Sequence, residues 1–489
     1  MNKLFHHLQQ STAPAFHFGD HTRTFADLFH RGARYAAALQ SLGVTPGDRV
    51  VVLLHRSLDL IDILVGHHRL GAIHVPVNHR YGPREIAHII ADADPSVVVT
   101  EPALATKLPD LDLPILQVGP SLDALIDAAP PFQPVDLHDD DPALFIYTSG
   151  TTGPSKGVIH TYATIVAGID ALTREWRFTP DDHLILALPL FHVHGLCIGV
   201  HGTLLRGNQT TLLPDFDPTA VATALGDQGT IFMGVPTMHH ALLEAMEEDP
   251  QLARAISRAR LLTSGSAALP RALFQRIHEL TGLEVLERYG MSETLLTLTN
   301  PYDGPRQPGT VGRPIDGVEA RVVDDDGEPV PDGEPGALEV RGPCITPGYW
   351  RLPDKTADAF TPDGFFRTGD VVTRSPDGVF SILGRQSVDI IKSGGFKISA
   401  REIEETLLTH PDIRACAVIG VPHEKWGQSI TAAIVPSPSA TPRTSDAWLS
   451  LLRHHVAQQL ADYKRPSSVL LLDKLPRNAL GKVQKHRLI

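Results

Sequence analysis

The sequence predicts an α/β fold with a large domain of two doubly wound α/β subdomains and a β-rich subdomain, followed by a small α+β domain. Three observations predict this architecture. The chain has 489 residues, which is more than one hydrophobic core usually holds. Short β-branched runs alternate with helix-like stretches over the first 290 residues. The pattern changes near residue 309 and again after residue 384, so we predict domains at 1–385 and 386–489.

The two doubly wound subdomains are predicted from repeated alternation of strand and helix patterns. In the first, helix-like stretches at 24–42 and 84–93 accompany β-branched runs at residues 49–54, 72–77 and 95–100. In the second, helical segments between residues 181 and 290 separate apolar runs at residues 211–213, 230–234 and 260–264. Such alternation is typical of parallel sheets covered by helices.

The later part of the chain predicts two further units. Between residues 309 and 342, turns rich in Gly, Pro and Asp separate short alternating runs, a pattern typical of antiparallel strands. After Gly384, Ser399 and Glu402 form a capping-box pattern that predicts a helix running to His410. Strand-like runs at residues 415–420 and 429–435 follow, and residues 436–445 predict a loop.

Composition excludes several classes of protein. The formal net charge is −13, and no block of basic residues occurs, which argues against a nucleic-acid partner. The three cysteines are far apart and lack the spacing of a metal site. No signal-peptide pattern and no apolar run of membrane-spanning length occurs, so we expect a cytoplasmic protein without a membrane span. The most apolar region, 184–205, is interrupted by Pro189, His192, His194 and His201, which favours a buried element beside a pocket.

The most informative segment follows the predicted strand at 143–146. Residues 147–157 read Tyr-Thr-Ser-Gly-Thr-Thr-Gly-Pro-Ser-Lys-Gly. Backbone N–H groups, hydroxyls and one lysine at the end of a strand are suited to binding a polyanion, usually phosphate. The segment is not a Walker loop, because Lys156 follows Ser155 and precedes Gly157. The alternative is an ordinary solvated turn.

This loop resembles the signature of the acyl-adenylate-forming enzymes, which include acyl-CoA synthetases, peptide-synthetase adenylation domains and luciferases. Further matches to that family follow in order along almost the whole chain, at residues 188–195, 234–237, 264–270, 287–294, 365–370, 384–385, 392–398 and 476–482. The resemblance implies that the β-rich subdomain forms a distorted barrel and that the C-terminal domain is mobile. It also implies that a carboxylate attacks the α-phosphate of ATP to give an acyl-AMP, from which the thiol of coenzyme A displaces AMP.

The resemblance implies a role for each matching residue. Catalytic roles fall to Lys482, Thr148, Lys156 and Glu293, and Glu293 would also hold Mg²⁺. The phosphate loop would continue through Ser149, Gly150, Thr151, Thr152 and Gly153. The nucleoside would be bound by Gly265, Ser266, Ala267, Tyr289, Gly290, Thr294, Asp370 and Arg385.

The resemblance also implies that Lys482 is a catalytic cation carried by the C-terminal domain, which rotates for the second step. The thiol tunnel would then be lined by Lys392, Gly394, Gly395 and Phe396. The alternative for Lys482 is an exposed lysine near the chain end, like its neighbours Lys474 and Lys485. Residues 386–389 depart from the family's hinge pattern, so no pivot residue is predicted.

Two residues indicate the acid that is activated. Arg288 and His194 lie in motifs that look like those of the malonyl-CoA synthetase subgroup, with His192 as a gate or pocket wall. A buried guanidinium can bind the distal carboxylate of malonate or methylmalonate through paired hydrogen bonds. The alternative is that Arg288 pairs with Glu287 or a phosphate and that His194 only fills the core.

Three other functions are compatible with parts of the pattern. They are a synthetase for another short- or medium-chain acid, an adenylation enzyme that loads a carrier protein, and a non-catalytic ATP-binding protein. The last would be expected to lose Lys482, Glu293 or Asp370, and all three are present. Malonate activation would serve fatty acid metabolism, and we expect a monomer or homodimer.

Overall fold

The computed structural model describes residues 8–148, 155–386, 389–393, 396–424, 426–477 and 481–488. The strands are β1 (Pro14–Phe18), β2 (His21–Thr24), β3 (Arg49–Leu53), β4 (Ile73–Pro76), β5 (Val97–Thr100), β6 (Ile115–Gln117), β7 (Pro142–Thr148), β8 (Lys156–Thr161), β9 (His183–Leu186), β10 (Gln209–Leu212), β11 (Ile231–Gly234), β12 (Leu261–Ser264), β13 (Leu286–Tyr289), β14 (Leu298–Thr299), β15 (Arg313–Pro314), β16 (Glu319–Val323), β17 (Gly336–Arg341), β18 (Phe366–Arg374), β19 (Phe380–Arg385), β20 (Ile390–Ser393), β21 (Phe396–Ser399), β22 (Ile413–His423), β23 (Gly427–Pro436) and β24 (Ser468–Leu471).

The α-helices connect these strands. They are α1 (Phe25–Ser41), α2 (Leu58–Leu70), α3 (Pro83–Ala93), α4 (Pro102–Ala105), α5 (Pro120–Ala128), α6 (Tyr162–Glu175), α7 (Gly202–Arg206), α8 (Pro218–Asp227), α9 (Pro236–Glu248), α10 (Pro250–Ile256), α11 (Arg271–Thr281), α12 (Pro353–Ala359), α13 (Ala400–Leu408) and α14 (Ser445–Ala457). A π-helix spans His194–His201, and short 3₁₀ turns occur at Asp462–Lys464 and Lys485–Arg487.

The two predicted doubly wound layers are present as two sheets. The first has the order β6-β5-β3-β4-β7-β8, in which only β8 runs antiparallel to its neighbour. The second has the order β15-β14-β13-β12-β11-β9-β10-β1-β2, with a parallel centre from β13 to β1. Strands β9, β11 and β12 are buried along their whole length because helices cover both faces of a parallel sheet.

The three subdomains of the large domain share one hydrophobic cluster. It joins Val50 of the first sheet, Leu184 and Leu286 of the second, and Val340 of the β-rich part. The β-rich part is an antiparallel sheet of the order β16-β17-β18-β19. This common core holds the strand ends that carry the candidate site at fixed positions.

The apolar region 184–205 is buried inside the large domain, as predicted. After β9 the chain forms the π-helix His194–His201, in which every residue is buried. None of the helices in the described part of the chain is long and apolar enough to cross a membrane.

The C-terminal α+β unit has a hydrophobic cluster of its own. Its sheet has the order β21-β20-β23-β22, with β24 added parallel to β23, and α13 and α14 pack on it. Ser399 caps α13 by accepting a hydrogen bond from the Glu402 backbone N–H at 3.3 Å. The predicted capping box is incomplete, because the Glu402 carboxylate binds Lys464 instead, and α13 ends at Leu408 rather than at His410. The Ser399 hydroxyl also donates to the Leu383 carbonyl at 2.6 Å, so this unit contacts the β-rich sheet.

Candidate active site

The hairpin of β7 and β8 brings the two ends of the predicted phosphate loop together. Thr148 and Lys156 are direct partners in its antiparallel register. Ser149, Gly150, Thr151, Thr152 and Gly153 lie outside the described residues. The Lys156 ammonium lies 4.7 Å from the centre of the Tyr349 ring, a cation–π contact. A hydroxyl and a cation therefore flank the loop where it leaves the sheet.

Glu293 lies next to this hairpin, in contact with the same tyrosine. The Tyr349 hydroxyl donates to Glu293 Oε1 at 3.0 Å, and the Glu293 carbonyl accepts from the Thr346 N–H at 2.7 Å. Burial raises the pKa of the Glu293 carboxyl, while Tyr349 and Lys156 act in the opposite direction. Sequence reasoning missed Tyr349, and the only local signal was a Tyr-Trp pair after Gly348.

Tyr289, Asp370 and Arg385 are brought together as predicted. Bulged pairing of β18 and β19 places Asp370 directly opposite Arg385. Asp370 Oδ1 lies 2.9 Å from Arg385 Nε, and Oδ2 accepts a hydrogen bond from the Tyr289 hydroxyl. Arg385 also donates to the Thr368 carbonyl at 2.7 Å. Burial raises the pKa of the Asp370 carboxyl and outweighs the opposite effect of Arg385.

The predicted adenine-binding segments border this group. A Cβ atom at Gly265 would lie 2.5 Å from Arg288 Cζ, so a side chain there would displace the Arg288 guanidinium. Ser266 adopts a left-handed conformation with φ 66°, and Ala267 follows it. Gly290 has no room for a side chain, since a Cβ would lie 2.1 Å from the Leu295 carbonyl oxygen of the backbone. The buried Thr294 hydroxyl accepts from the Met291 N–H, so it shapes the turn that carries Glu293.

Arg288 is a buried cation whose charge is not neutralised by its sequence neighbour. It is only 4% exposed, and its Nε and Nη2 atoms have no hydrogen-bond partner among the described residues. Residues 287 and 288 of a strand point to opposite faces, and Glu287 Oε1 instead accepts from the Leu269 N–H at 3.1 Å. The predicted alternative of an Arg288–Glu287 pair is therefore wrong. Burial lowers the pKa of Arg288 to about 9.

His194 is close to Arg288 and to His192. His194 begins the π-helix, and neither ring nitrogen has a partner in the described part of the protein. Burial, followed by nearby Arg288, lowers the pKa of His194 well below its usual value. Burial lowers the pKa of His192 to about 4.

His239 was not found from the sequence, because its helix α9 shows only an ordinary amphipathic pattern. Its Nε2 donates to the Thr263 carbonyl at 2.9 Å. Since a carbonyl only accepts, Nδ1 of neutral His239 is an acceptor. His239 is also one of the groups that lower the pKa of His194, so the two rings are neighbours.

The C-terminal unit brings Lys482 to this cleft. A Cβ on Gly481 would lie 2.8 Å from Thr237 Oγ1, so the terminal segment rests on the first turn of α9. Part of the Lys482 side chain reaches solvent, yet desolvation by the surrounding protein and the charge of Arg385 lower its pKa. Asp370 and Asp389 act in the opposite direction. Lys482 therefore lies within electrostatic range of the Tyr289–Asp370–Arg385 group.

Two of the residues predicted to line the thiol tunnel, Lys392 on β20 and Phe396 on β21, are described, and both are exposed. Lys392 is exposed, and its backbone N–H donates to Gln428 Oε1 at 2.7 Å. Phe396 is 49% exposed and stacks on Tyr463 with ring centres 4.3 Å apart. Gly394 and Gly395 lie outside the described residues.

The cleft thus combines cations for a polyanion with acceptors for sugar hydroxyls and a separate cationic pocket. Lys156 contacts Tyr349, Lys482 is near Arg385 and Asp370, and Arg288 is near His194. Such an arrangement can bind a nucleoside polyphosphate beside a small acid that carries a second anionic group.

Comparison with known proteins identifies the family of the chain. The family model described as AMP-binding enzyme matches residues 6–350, and the model described as AMP-binding enzyme C-terminal domain matches residues 402–482. A malonate–CoA ligase of Arabidopsis thaliana is 36% identical over 94% of this chain and 80% of its own length.

Two solved structures are similar over nearly the whole chain. ATP-bound MatB from Rhodopseudomonas palustris gives a TM-score of 0.92 at 37% identity, with 100% of this chain and 98% of that chain covered. A malonyl-CoA ligase in a ternary product complex with methylmalonyl-CoA and AMP gives a TM-score of 0.70 at 41% identity, with 96% and 97% covered. The chain therefore belongs to the family of AMP-binding enzymes.

Proposed function

We propose that this enzyme is an ATP-dependent malonate–CoA ligase. In the first step an oxygen of one malonate carboxylate bonds to the α-phosphorus of ATP, and the bond to the β-phosphate breaks to release pyrophosphate. In the second step the sulfur of coenzyme A bonds to the acyl carbon and AMP leaves. The observation that carries the choice of acid is the buried Arg288 guanidinium with two donor atoms unpaired within the described protein.

The energetics of Arg288 favour an acid with a second carboxylate. A buried charge without a partner is expensive, and a guanidinium binds a carboxylate through two parallel N–H···O bonds. Nε and Nη2 of Arg288 are suitable donors for this geometry, and His194 is a further donor beside them. The relatives named for malonate and methylmalonyl-CoA support the same assignment. Acetate or octanoate would leave the guanidinium unpaired.

For the adenylation step we propose that Thr148, Lys156 and the loop of Ser149, Gly150, Thr151, Thr152 and Gly153 bind the β- and γ-phosphates. Asp370 and Arg385 would bind the ribose, while Tyr289 and residues 265–267 enclose the adenine, with Gly290 and Thr294 shaping the adjoining turn. Lys482 would donate to the oxygens of the α-phosphate and the attacking carboxylate. Its charge would stabilise the negative charge that develops there in the transition state.

The residues also fit a magnesium ion held together with ATP. Mg²⁺ is commonly bound by one or two carboxylates plus substrate phosphates, and Glu293 is a buried carboxylate oriented by Tyr349. The described residues contain no group of three or more His, Cys, Asp or Glu side chains that could hold a metal ion. When bound, the ion would offset the charge of the phosphates, and Glu293 would hold it beside the loop.

For the second step we propose that residues 386–489 rotate as one body relative to 1–385. β19 ends at Arg385 and β20 begins at Ile390, and the C-terminal unit has its own hydrophobic cluster, which supports this boundary. Rotation would exchange Lys482 for Lys392, Gly394, Gly395 and Phe396, which would then line the thiol tunnel. The lower TM-score to the ternary product complex, despite its higher identity, is expected if that complex holds the other orientation.

The decisive experiment is a pyrophosphate-release screen with malonate, methylmalonate, succinate, sulfoacetate, acetate, propionate and octanoate, each with and without coenzyme A. We expect malonate to lead, with methylmalonate next, and malonyl-CoA to form. A lead for acetate or octanoate would contradict the assignment of the acid. Acyl transfer only to an added carrier protein would favour the carrier-loading alternative. A location in the cytoplasm, a role in fatty acid metabolism and a monomeric or homodimeric state remain proposals.

A further inference from the structure

A buried cluster of charges lies behind Lys482 in the C-terminal unit. Lys485 is 9% exposed, and its ammonium lies 2.6 Å from Asp389 Oδ1 and 2.7 Å from Glu404 Oε1. Burial acts to lower the pKa of Lys485, but the negative charges of Glu404 and Asp389 have the larger effect, so the pKa of Lys485 is raised. The sequence analysis treated Lys485 as an exposed lysine near the chain end, and the structure shows that it is buried instead.

This cluster joins elements that are far apart in the chain. Glu404 lies on α13 and also accepts the Val418 N–H at 2.6 Å, which ties it to β22. Asp389 lies just before β20, and its second oxygen, Oδ2, accepts the Arg385 backbone N–H at 3.0 Å. The cluster therefore links the sheet of the C-terminal unit to the last residue of β19.

Arg385 extends the link into the candidate active site. Its guanidinium lies 2.9 Å from Asp370, while its backbone N–H binds Asp389. Gly384 permits this arrangement, because a Cβ there would lie 2.3 Å from the Asp389 Cβ. Lys482 is three positions from Lys485 in the same terminal segment, where Val483 and Leu488 pack on a small hydrophobic cluster. The path from Asp370 to this segment is continuous.

We propose that Lys485 is a positioning residue which, through Asp389 and Glu404, holds the terminal segment so that Lys482 reaches the α-phosphate during adenylation. This inference rests on the proposed function, because it requires Lys482 to be the adenylating cation. A buried ammonium between two carboxylates has one well-defined position. The ion pairs of Lys485 add to the bridge between Arg477 and Val483 and to the packing of Val483 and Leu488, and they anchor the residue three positions from Lys482. A displacement of about 1 Å in a reacting group can cost about 100-fold in rate.

The test compares the two half-reactions in Lys485→Met and in the control Lys474→Met, which changes an exposed lysine of the same region. Pyrophosphate release from ATP and malonate reports adenylation, and coenzyme A transfer from supplied malonyl-AMP reports the second step. We expect Lys485→Met to slow adenylation by about 10- to 100-fold and to change the transfer step less than about threefold. Lys474→Met should leave both steps unchanged. An equal loss in both steps of Lys485→Met would overturn the proposal.

A second variant separates positioning from folding. Lys485→Met leaves two partly buried carboxylates, those of Asp389 and Glu404, without their cation, which can lower stability by itself. Adding Glu404→Gln removes one of these charges and keeps the oxygen that accepts the Val418 N–H. We expect the double variant to recover much of the melting temperature while adenylation remains slow. Recovery of adenylation together with stability would overturn the positioning role.

Lys482→Ala distinguishes failure of this inference from failure of the proposed function. If Lys482→Ala still carries out adenylation, the proposed role of Lys482 is wrong, and the positioning role of Lys485 is wrong as well. If adenylation is lost in Lys482→Ala but unchanged in Lys485→Met, only the inference is wrong.

Discussion

Replacing Arg288 by methionine is the sharpest test of the acyl pocket. Methionine keeps most of the side-chain volume and removes the charge and the two unpaired donors, Nε and Nη2. Hydrogen bonds to charged groups contribute about 1.5–3 kcal/mol each. Two such hydrogen bonds, after subtraction of the cost of removing the malonate carboxylate from water, contribute about 3–4 kcal/mol to binding. At about 1.4 kcal/mol per factor of ten, kcat/KM for malonate should fall by about 100- to 1000-fold.

Arg288→Met is expected to lower activity without lowering the stability of the folded protein. Burial lowers the pKa of Arg288 to about 9, which reflects a charged form that the folded protein disfavours. Removing that charge should leave the free energy of unfolding of the ligand-free enzyme unchanged or raise it by about 1 kcal/mol. A melting temperature at or above that of the wild type would therefore accompany the loss of malonate activity.

The assay measures pyrophosphate release with malonate and with acetate in Arg288→Met and in Arg313→Met. Arg313 is a matched control on β15, where its side chain is 54% exposed. We expect acetate activity to change less than about threefold in Arg288→Met, because acetate has no second carboxylate. An equal loss with both acids would refute the reasoning, since Arg288 would then serve ATP binding or folding.

Three further predictions test other parts of the site. Lys482→Ala should abolish pyrophosphate release and preserve most coenzyme A transfer from supplied malonyl-AMP; similar damage to both steps would remove its assigned role. Asp370→Asn should raise KM for ATP by about 10- to 100-fold, because the ribose loses a charged acceptor, and an unchanged KM in initial-rate measurements would count against ribose binding. Burial raises the pKa of Glu287 from 4.5 to about 7, so the folded protein binds this proton more tightly than the unfolded chain does. Stability should therefore fall, by up to about 3 kcal/mol, as the pH rises through that window. Glu287→Gln should abolish this part of the fall in melting curves at pH 5 and 8, and an unaltered difference would contradict it.

Much of the fold could be predicted because apolar runs in the sequence indicate buried strands and turn residues indicate where the chain reverses. The β-branched runs at 49–54, 72–77 and 95–100 became β3, β4 and β5 with ends shifted by one or two residues. Ser399 caps α13 as predicted, but its partner Glu402 was captured by Lys464, 62 residues away. A capping signal is local, whereas the competing ion pair exists only after the chain has folded.

The candidate site also contains residues that local motifs predicted and residues that only tertiary contacts revealed. Sequence motifs identified Tyr289, Asp370 and Arg385, and the structure brought them together. Tyr349 and His239 were missed, because their roles depend on contacts with Glu293 and the Thr263 carbonyl that no local pattern encodes. The sequence also left open whether Arg288 pairs with Glu287, and strand geometry decided this by directing the two side chains to opposite faces.

The sequence by itself determined the alternation of strands and helices in the first part of the chain, the change to antiparallel strands after residue 309 and the C-terminal α+β unit. Only the tertiary structure decided which buried charges are paired. Lys485 has two carboxylate partners, whereas two donors of Arg288 have none within the described residues. The physical reason is that periodicity and capping act over a few neighbouring residues, while the environment of a buried charge is set by side chains that meet only when distant elements pack together.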